Sequence, residues 1–238
     1  MNVMTAQESA DRILQARRSG ECLDALTCSI AHEQAYEIQG LVTQARLDRG
    51  ESIGGWKLGY TSTVMREQMG IADPNFGPLT DAMFVPDSGE LPSARQPKAE
   101  PEIAFVMGEH GVAEARLALE IVDSVWCDYR FTWAHNTADG SSAAYVVLGS
   151  PLSLNGLAVL PVELRRNGEV VGVGSGAAAM GDPFTALAWL EGQLAERDQR
   201  LQFGDVVITG GLCAAVSIEP GDVIEARAGT AVARVSRG

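Results

Sequence analysis

The spacing of hydrophobic and polar positions changes along the chain near residue 50. Upstream of it, apolar residues recur at three- and four-residue intervals, which predicts helices over residues 5–19 and 29–49. Thr5 and Glu8 have the spacing of a capping box, in which two residues satisfy each other's backbone groups at a helix start. The N-terminal segment is therefore predicted to be helical.

Downstream of residue 50, short apolar runs are separated by Gly, Pro and Asp turns, a pattern typical of β structure. One helix is expected to interrupt the strands, with Asp182 as its cap and Pro183 at its first position. The predicted strands are 53–60, 100–107, 120–126, 143–148, 157–165, 169–173, 205–209, 213–218, 222–227 and 230–235.

Together these elements indicate an α+β fold, in which a helical N-terminal segment of residues 1–50 packs on a β-rich body of residues 51–238. No stretch between the two has the composition of a linker, so we expect one continuous domain. A chain of 238 residues is long enough to bury a core of this kind.

The charge of the chain excludes some classes of partner. The formal net charge is −13 and the pI is near 4.6, whereas a nucleic-acid-binding protein needs a basic surface. No apolar run is long enough to cross a membrane, and the first residues lack the apolar stretch of a secretory signal. We therefore expect a cytoplasmic protein that binds neither nucleic acid nor membrane.

The cysteines and histidines do not match a zinc or nucleophile motif. Cys22, Cys28, Cys127 and Cys213 are widely spaced and contain no C-x-x-C pair, which favours free, mostly buried thiols over a disulfide scaffold or a zinc knuckle. The sequence also contains neither an H-E-x-x-H pattern nor a serine in a nucleophile-elbow motif.

Two carboxylates stand at the head of an apolar run in the sequence KAEPEIAFV. Glu100 and Glu102 would project from the same face of a strand, where like charges raise each other's proton affinity. They could be solvated residues of an edge strand, but the face soon becomes apolar, and buried carboxylates need a counter-charge. Glu120, in LALEIVDS at the start of another predicted strand, offers a third oxygen ligand. Such a set favours Mg²⁺ or Mn²⁺ over zinc.

A lysine flanked by glycines lies in the predicted strand GGWKLGYTS. Alternation puts Lys57 on the face opposite Trp56, Leu58 and Tyr60, where its glycine neighbours leave room for a ligand. An exposed strand lysine would give the same pattern, so the sequence leaves both interpretations open. The turn-like cluster ADGSS at 138–142 is a weaker signal of the same kind.

Taken in order, these stretches resemble the hydratase/decarboxylase branch of the fumarylacetoacetate hydrolase superfamily. The resemblance runs from about residue 30 to the C-terminus and implies the α+β fold of that superfamily, with a mixed β-sandwich or roll as its body. The stretches that carry it are GWKLGYTS, DPNFGPLTDAMFVPDSGE, EPEIAFV, ALEIVDS, TADGSS and GDVVITGG.

The resemblance implies a role for each matching residue. Family members bind Mg²⁺ through a Glu-x-Glu pair and a downstream Glu, which here match Glu100, Glu102 and Glu120. The expected catalytic residues are Lys57, Asp81 and Asp139, and the expected substrate-binding residues are Ser62, His135, Ser141 and Thr209. Departures from the family's usual residues occur at Asn75, Val125, His135 and Gly140, and they bear on the substrate.

The resemblance also implies the reaction. LTDAMFVPDSGE and ITGGLCAAVSI are more similar to the decarboxylases, which release CO₂ from 4-oxalocrotonate (2-oxohex-3-enedioate) and form 2-hydroxypenta-2,4-dienoate through a dienolate that the metal stabilises. The runner-up is a 2-hydroxypenta-2,4-dienoate hydratase. A non-catalytic partner subunit and, with less support, an acylpyruvate hydrolase remain as alternatives. The family's members form ring-like homo-oligomers, often pentamers or decamers, and the hydratase and decarboxylase of one pathway can associate.

Overall fold

A computed structural model describes residues 4–238, which form an α+β fold as the sequence predicts. The helices are α1 (Ala6–Ser19), α2 (Ala35–Leu47), α3 (Thr63–Met69), α4 (Trp133–Ala138) and α5 (Pro183–Ala195). The strands are β1 (Ile53–Gly59), β2 (Asn75–Thr80), β3 (Phe84–Val85), β4 (Gly89–Glu90), β5 (Lys98–Gly108), β6 (Gly111–Val122), β7 (Ala143–Leu152), β8 (Pro161–Arg166), β9 (Glu169–Ser175), β10 (Val206–Ile208), β11 (Val216–Ser217), β12 (Val223–Ala228) and β13 (Ala231–Ser236).

The helix ends follow from local chemistry. In α1 the predicted capping box between Thr5 and Glu8 is present, and Gly20 ends the helix in the left-handed region with φ of 77°. The predicted second helix begins later than expected, because residues His32–Gln34 form a 3₁₀ turn before α2. In α5 the predicted cap is confirmed: Asp182 accepts a hydrogen bond from the backbone N–H of Phe184. Residues 1–3 of the predicted N-terminal segment lie outside the described residues.

Within residues 4–238, the strands form a large and a small sheet. The large sheet has the order β2-β1-β10-β5-β6-β7-β3, with β11 also paired to β5. Its longest pairing is the antiparallel β5–β6 hairpin, and β10 lies parallel to β1 on one side and antiparallel to β5 on the other. The small sheet has the order β4-β13-β12-β8-β9.

The small sheet and α5 cover one face of the large sheet. The main hydrophobic core joins side chains from all three, for example Ile103 on β5, Leu164 on β8 and Leu190 on α5. A separate core holds the N-terminal helices against α4 and includes Ile38 and Trp126. Gln39 of α2 links this helical layer to the body, because its buried amide donates to the backbone oxygens of Phe76 and Thr137.

Strand β6 begins nine residues earlier than the predicted strand 120–126, so Glu120 lies near the end of its strand and not at the start. The alternation of polar and apolar residues over 111–116 is weak, which hid the first half of β6. Strand β2 and helix α4 are short elements that the sequence pattern did not reveal.

The prediction of free cysteines is wrong for one pair. Cys22, just after α1, forms a disulfide with Cys127, which follows β6. The two are 105 residues apart in sequence, so spacing carried no signal of their contact. Cys28 and Cys213 are free thiols. No helix in the described part of the chain is long and apolar enough to span a membrane.

Candidate metal centre and active site

The β5–β6 hairpin brings three carboxylates together. Its register places Glu100 directly opposite Glu120, and Glu102 lies two residues further along the same face of β5. One oxygen from each of the three side chains lies within 4.8 Å of the others. Glu102 and Glu120 are fully buried, whereas Glu100 is partly exposed at the floor of a cavity.

The carboxylate oxygens are only partly satisfied by the protein. Glu102 Oε2 accepts a hydrogen bond of 2.7 Å from the backbone N–H of Gly210. Glu102 Oε1 and Glu120 Oε1 are buried and have no hydrogen-bond partner among the described residues. Burial and the charge of Glu120 raise the pKa of Glu100 to about 7, and the same two causes raise the pKa of Glu102 well above its usual value. The nearby positive charge therefore does not balance the three carboxylates.

This donor set fits a hard divalent cation. It offers carboxylate oxygens from Glu100, Glu102 and Glu120 without a cysteine or histidine among the grouped ligands, which suits Mg²⁺ or Mn²⁺. The unpartnered oxygens of Glu102 and Glu120 are the groups that an ion would satisfy. The predicted ligands thus converge as the sequence suggested.

Lys57 of β1 stands beside the carboxylates. Its Nζ lies 2.9 Å from Glu120 Oε2 and donates to the backbone oxygen of Ser141 at 3.0 Å and to Ser141 Oγ at 3.2 Å. The side chain is buried, so an exposed strand lysine is excluded. Burial alone would lower the pKa of Lys57, but the surrounding carboxylates, Glu120 first, outweigh it and raise that pKa. The ammonium is therefore paired within the protein.

Loops at the ends of β1 and α4 complete the site with a strained backbone. Tyr60, Ser141 and Ser142 have φ values of 57°, 57° and 59°, in the left-handed region that non-glycine residues seldom adopt. Ser141 Oγ donates to Asn75 Oδ1, and Asn136 Nδ2 donates to Ser142 Oγ, so buried amides hold both serines in place. Packing and hydrogen bonds offset the strain and aim these side chains at the cavity.

A cavity of about 270 Å³ opens above this group. Among its lining residues are predicted site residues Lys57, Ser62, Glu100 and Ser141. The sequence analysis missed Tyr60, Lys98, Asn136 and Ser142, which also line the cavity. Tyr60 was assigned to the opposite strand face, and only its left-handed backbone, which breaks the alternation, brings it here. Lys98 lies two residues before Glu100, so strand alternation was a usable signal for it.

Lys98 and Tyr60 add polar groups to the cavity wall. Lys98 Nζ lies 4.0 Å from the centre of the Tyr129 ring, in a cation–π contact at the cavity. The Tyr60 hydroxyl is buried and has no hydrogen-bond partner among the described residues. Burial raises the pKa of Tyr60, and the charge of Glu100 raises it further, so the hydroxyl remains protonated and can donate.

The structure places Asp81 and Asp139 outside the cavity lining. Asp81 is exposed and accepts from the backbone N–H and the hydroxyl of Ser52, and these hydrogen bonds lower its pKa. Asp139 is buried, with its Oδ1 2.6 Å from Arg17 Nη2 and its Oδ2 3.0 Å from the backbone N of Val125. Burial raises the pKa of Asp139 although Arg17 opposes the change. Asp81 therefore links the segment before β1 to the end of β2, and Asp139 links α1 to the segment after β6.

His135 and Thr209 also lie away from the cavity wall. His135 is buried, where its Nε2 donates to the backbone oxygen of Cys28 at 2.6 Å, and its ring packs edge-on against Trp126. Thr209 Oγ1 donates to the backbone oxygen of Ile103 and so fixes the chain just before Gly210, the donor to Glu102. Gly211 comes next, and a side chain there would meet the Glu100 carboxylate at about 3.2 Å.

Comparison with known proteins gives consistent matches. The family model for the C-terminal region of fumarylacetoacetate (FAA) hydrolase matches residues 61–236. A 2-keto-4-pentenoate hydratase of Paraburkholderia xenovorans (strain LB400) is 34% identical over 246 residues, which cover 94% of this chain and 91% of the relative. A 4-oxalocrotonate decarboxylase of Pseudomonas putida is 36% identical over 211 residues, or 81% of this chain and 80% of the relative.

The solved structure of a 4-oxalocrotonate decarboxylase from Pseudomonas putida G7, complexed with magnesium and adipate, superposes with a TM-score of 0.91. The two are 29% identical, and the match covers 100% of both chains. A second structure of that decarboxylase, complexed with calcium and acetate, gives a TM-score of 0.88. The α+β architecture described above is therefore the one shared by these enzymes.

Proposed function

Because the chain belongs to the fumarylacetoacetate hydrolase family, we propose that it is a divalent-metal-dependent lyase of the hydratase and decarboxylase branch. Its proposed reaction is the decarboxylation of 4-oxalocrotonate (2-oxohex-3-enedioate) to 2-hydroxypenta-2,4-dienoate. The observation that carries this proposal is a cavity lined by Lys57, Lys98 and Glu100, where the Glu100 carboxylate converges with those of the buried Glu102 and Glu120. Such a cavity suits a substrate that carries two carboxylates.

The three carboxylates are the proposed ligands of the metal, Mg²⁺ or Mn²⁺. When bound, such an ion supplies Lewis acidity toward the oxygen atoms of a 2-oxo acid. The solved relative contains magnesium, which supports a divalent ion here. The chain's contribution is to keep Glu102 and Glu120 buried and Glu100 at the cavity floor, so that the ion and the substrate meet at one place.

Lys57 is the proposed group that stabilises negative charge at the 2-oxo oxygen. Its raised pKa keeps the ammonium protonated, so it acts as a hydrogen-bond donor and not as a base. The Tyr60 hydroxyl, buried and unpartnered, is a second donor to the same end of the substrate. When the bond between C5 and the distal carboxylate breaks, CO₂ leaves and its electron pair is delocalised to the 2-oxo oxygen, which takes up one proton.

Lys98 is the proposed binding group for the distal carboxylate. It lines the cavity, its ammonium is held over the Tyr129 ring, and it takes no part in the Lys57–Glu120 ion pair. The solved relative binds adipate, a six-carbon dicarboxylate, in a chain of the same fold. A second cation in the cavity, besides Lys57, would favour substrates with two carboxylates over those with one.

The second candidate is hydration of 2-hydroxypenta-2,4-dienoate. The 34% identity to a 2-keto-4-pentenoate hydratase over 94% of this chain favours it. The same carboxylate cluster would serve both reactions, because each needs the negative charge at the 2-oxygen to be stabilised. The difference lies in the substrate, since the hydratase substrate has no distal carboxylate for Lys98 to bind.

The test is incubation of the purified protein with Mg²⁺ and 2-oxohex-3-enedioate, with released CO₂ and 2-hydroxypenta-2,4-dienoate both followed. In parallel, 2-hydroxypenta-2,4-dienoate is supplied and its consumption is measured. We expect decarboxylation that stops when the metal is chelated. Consumption of the dienoate without decarboxylation would establish the hydratase instead. Turnover of neither compound would leave a non-catalytic partner subunit.

A matched pair of variants ties the result to the carboxylate cluster. Glu102→Gln keeps the shape of the side chain and the acceptor for Gly210 but removes a charge, so both the reaction and Mg²⁺ binding should be lost. Glu109→Gln removes a charge from an exposed position and should leave both unchanged. Equal activity of the two variants would remove Glu102 from the metal centre.

The remaining expectations about the whole protein are proposals of the same kind. We propose a homo-oligomer, pentameric or decameric, that acts on its small-molecule 2-oxo acid in the cytoplasm. Light scattering should give a mass that is a multiple of 25.2 kDa. A single species of one chain at micromolar concentration would contradict it. Co-elution with the pathway's partner enzyme would test the proposed association between hydratase and decarboxylase.

A further inference from the structure

A second cavity, of about 360 Å³, lies between the N-terminal helices and strand β7. Five arginines line its wall, from the end of α1, the end of α2 and the segment before β5. They are Arg17, Arg18, Arg46, Arg49 and Arg95. The lining residues described for this cavity do not overlap with those of the catalytic cavity. The reaction proposed above gives this space no role.

The charge of the second cavity is opposite to that of the chain. Its lining carries five arginines against two carboxylates, Glu51 and Asp123, and the buried Asp139 pairs with Arg17 from behind, which leaves an excess of two positive charges. The whole chain has a formal charge of −13 and only 18 lysines and arginines. More than a quarter of its positive charges therefore meet at this place. Concentration of like charge in a concave site raises the local concentration of counter-ions of the opposite sign.

Internal partners satisfy only part of these guanidinium groups. Arg46 is well paired, with Nε 2.7 Å from Glu51 Oε2 and Nη2 2.9 Å from Thr80 Oγ1. Arg17 uses one Nη on Asp139, and its Nε is buried without a hydrogen-bond partner. Arg95 donates from Nη1 to the backbone oxygen of Ala16, and its Nε is also buried and unpartnered, 3.7 Å from Asp123.

The arginines are also close enough to repel one another. Burial lowers the pKa of Arg46, the Glu51 carboxylate opposes this, and the charges of Arg17 and Arg49 lower it further. Arg18 and Arg49 are exposed, and Arg49 Nη2 lies 3.7 Å from Glu51 Oε1. The cavity lining thus combines two arginines that each have a buried Nε without a hydrogen-bond partner with two exposed arginines.

We propose that this second cavity is a binding site for a small oxyanion, a phosphate or carboxylate group. The planar guanidinium fork matches both groups, which accept two parallel hydrogen bonds from it. Arg17 and Arg95, whose Nε atoms have no hydrogen-bond partner among the described residues, supply guanidinium groups in the wall of the site, and Arg18 and Arg49 add two exposed ones. A bound anion would satisfy the unpartnered donors and neutralise the excess charge.

The test is calorimetric titration of the Mg²⁺-loaded protein with inorganic phosphate and, separately, with succinate, at ionic strength held constant with chloride. We expect one of the two anions to bind to each chain with a millimolar or lower dissociation constant. The anion that binds distinguishes a phosphate ligand from a carboxylate ligand. Failure of both to bind more tightly than chloride would overturn the proposal.

Variants locate the binding in the second cavity. Arg18→Ala with Arg49→Ala removes two exposed cations without breaking a buried hydrogen bond, and it should raise the dissociation constant at least tenfold. Arg200→Ala, an exposed arginine elsewhere, is the matched control and should not change it. Glu102→Gln, which disables the metal centre, should retain the binding. Loss in Glu102→Gln alone would place the anion at the metal and refute the second site.

One competing occupant gives a different result. If carboxylates of a neighbouring subunit fill the cavity, neither anion will bind and the double arginine variant will change the mass measured by light scattering. That outcome would also overturn the proposal, because the cavity would then be part of an interface between copies of this chain.

Discussion

At the scale of single residues, the position of Lys57 decides how the site balances its charge. Its ammonium lies between the Glu120 carboxylate and two oxygens of Ser141, so it neutralises part of a cluster that would otherwise hold three carboxylates and no cation. The metal proposed for the site would share that task. In the folded protein, Lys57 and the proposed metal would therefore both neutralise the carboxylates. In the proposed reaction they would have different roles.

Lys57→Met should separate these two roles. With Mg²⁺ bound, we expect the turnover number to fall roughly ten- to a hundred-fold or more, because a charge-assisted hydrogen bond of about 1.5–3 kcal/mol to the developing negative charge is lost. Steady-state kinetics at saturating Mg²⁺ measures this. The melting temperature should fall mainly in the metal-free protein, where Glu120 is left unpaired. Unchanged turnover would show that the ammonium only balances charge.

Lys98→Gln tests the choice of substrate. We expect KM for 2-oxohex-3-enedioate to rise roughly tenfold or more, because the distal carboxylate loses a charge-assisted partner. Lys98→Arg keeps the charge and is the matched control. Any activity on 2-hydroxypenta-2,4-dienoate, which has one carboxylate, should change little. An equal loss of activity with both substrates would show that Lys98 contacts the part of the substrate that the two compounds share.

At the scale of elements, the β5–β6 hairpin fixes the three carboxylates that are the proposed metal ligands. A one-residue slip of either strand would move its carboxylates to the opposite face. The register is secured from outside the hairpin, since Gly210 after β10 donates to Glu102 and Thr209 bonds back to Ile103 of β5. The sheet therefore positions the ligands before any ion is present.

The disulfide between Cys22 and Cys127 ties α1 to the segment that follows β6. Reduction should lower the free energy of unfolding by about 2–4 kcal/mol, since a long loop is released in the unfolded chain. Chemical denaturation with and without reductant measures this. Cys22→Ser should give the same loss and make the protein insensitive to reductant, whereas Cys213→Ser should change neither. Equal stability of reduced and oxidised protein would contradict the prediction.

At the scale of the whole molecule, metal binding should be linked to pH. Glu100 has a pKa of about 7 in the metal-free protein, so Mg²⁺ must displace a proton below that pH. The apparent Mg²⁺ affinity should therefore fall at least about tenfold between pH 8 and pH 6, because the raised pKa of Glu102 adds to the effect of Glu100. Calorimetric titration at the two pH values tests this. Glu109→Gln, with its exposed side chain, should show the same dependence as the natural chain.

The stability of the metal-free protein should also depend on pH, and the raised pKa of Glu100 sets the direction. A carboxyl whose pKa is raised by folding destabilises the metal-free protein as pH rises from the unfolded pKa, near 4.5, through the folded pKa, about 7. Mg²⁺ removes that cost, so the rise in melting temperature on adding Mg²⁺ should be larger at pH 8 than at pH 6. A rise of equal size at both pH values would show that Glu100 is already ionised in the metal-free fold.

The sequence predicted the fold class and the shared face of Glu100 and Glu102 from short-range periodicity, whereas periodicity did not place Glu120 beside them and the family resemblance assigned it to the proposed metal ligands. Glu100 and Glu102 are two residues apart on one strand, so alternation alone puts them on one face. Tyr60 was misplaced because its left-handed backbone breaks that alternation. The disulfide and the pairing of Lys57 with Glu120 join residues that are distant in sequence, and no local pattern encodes such contacts.

The strained turns that aim Tyr60, Ser141 and Ser142 have a consequence for how this chain can change. Left-handed backbone costs a side chain of this kind about 1–2 kcal/mol relative to glycine. Replacing any of these three residues with glycine would therefore relieve backbone strain, but each replacement would also remove a hydroxyl from the cavity. The free energy of unfolding is therefore lower than this fold could give, and the residues that lower it line the proposed substrate site.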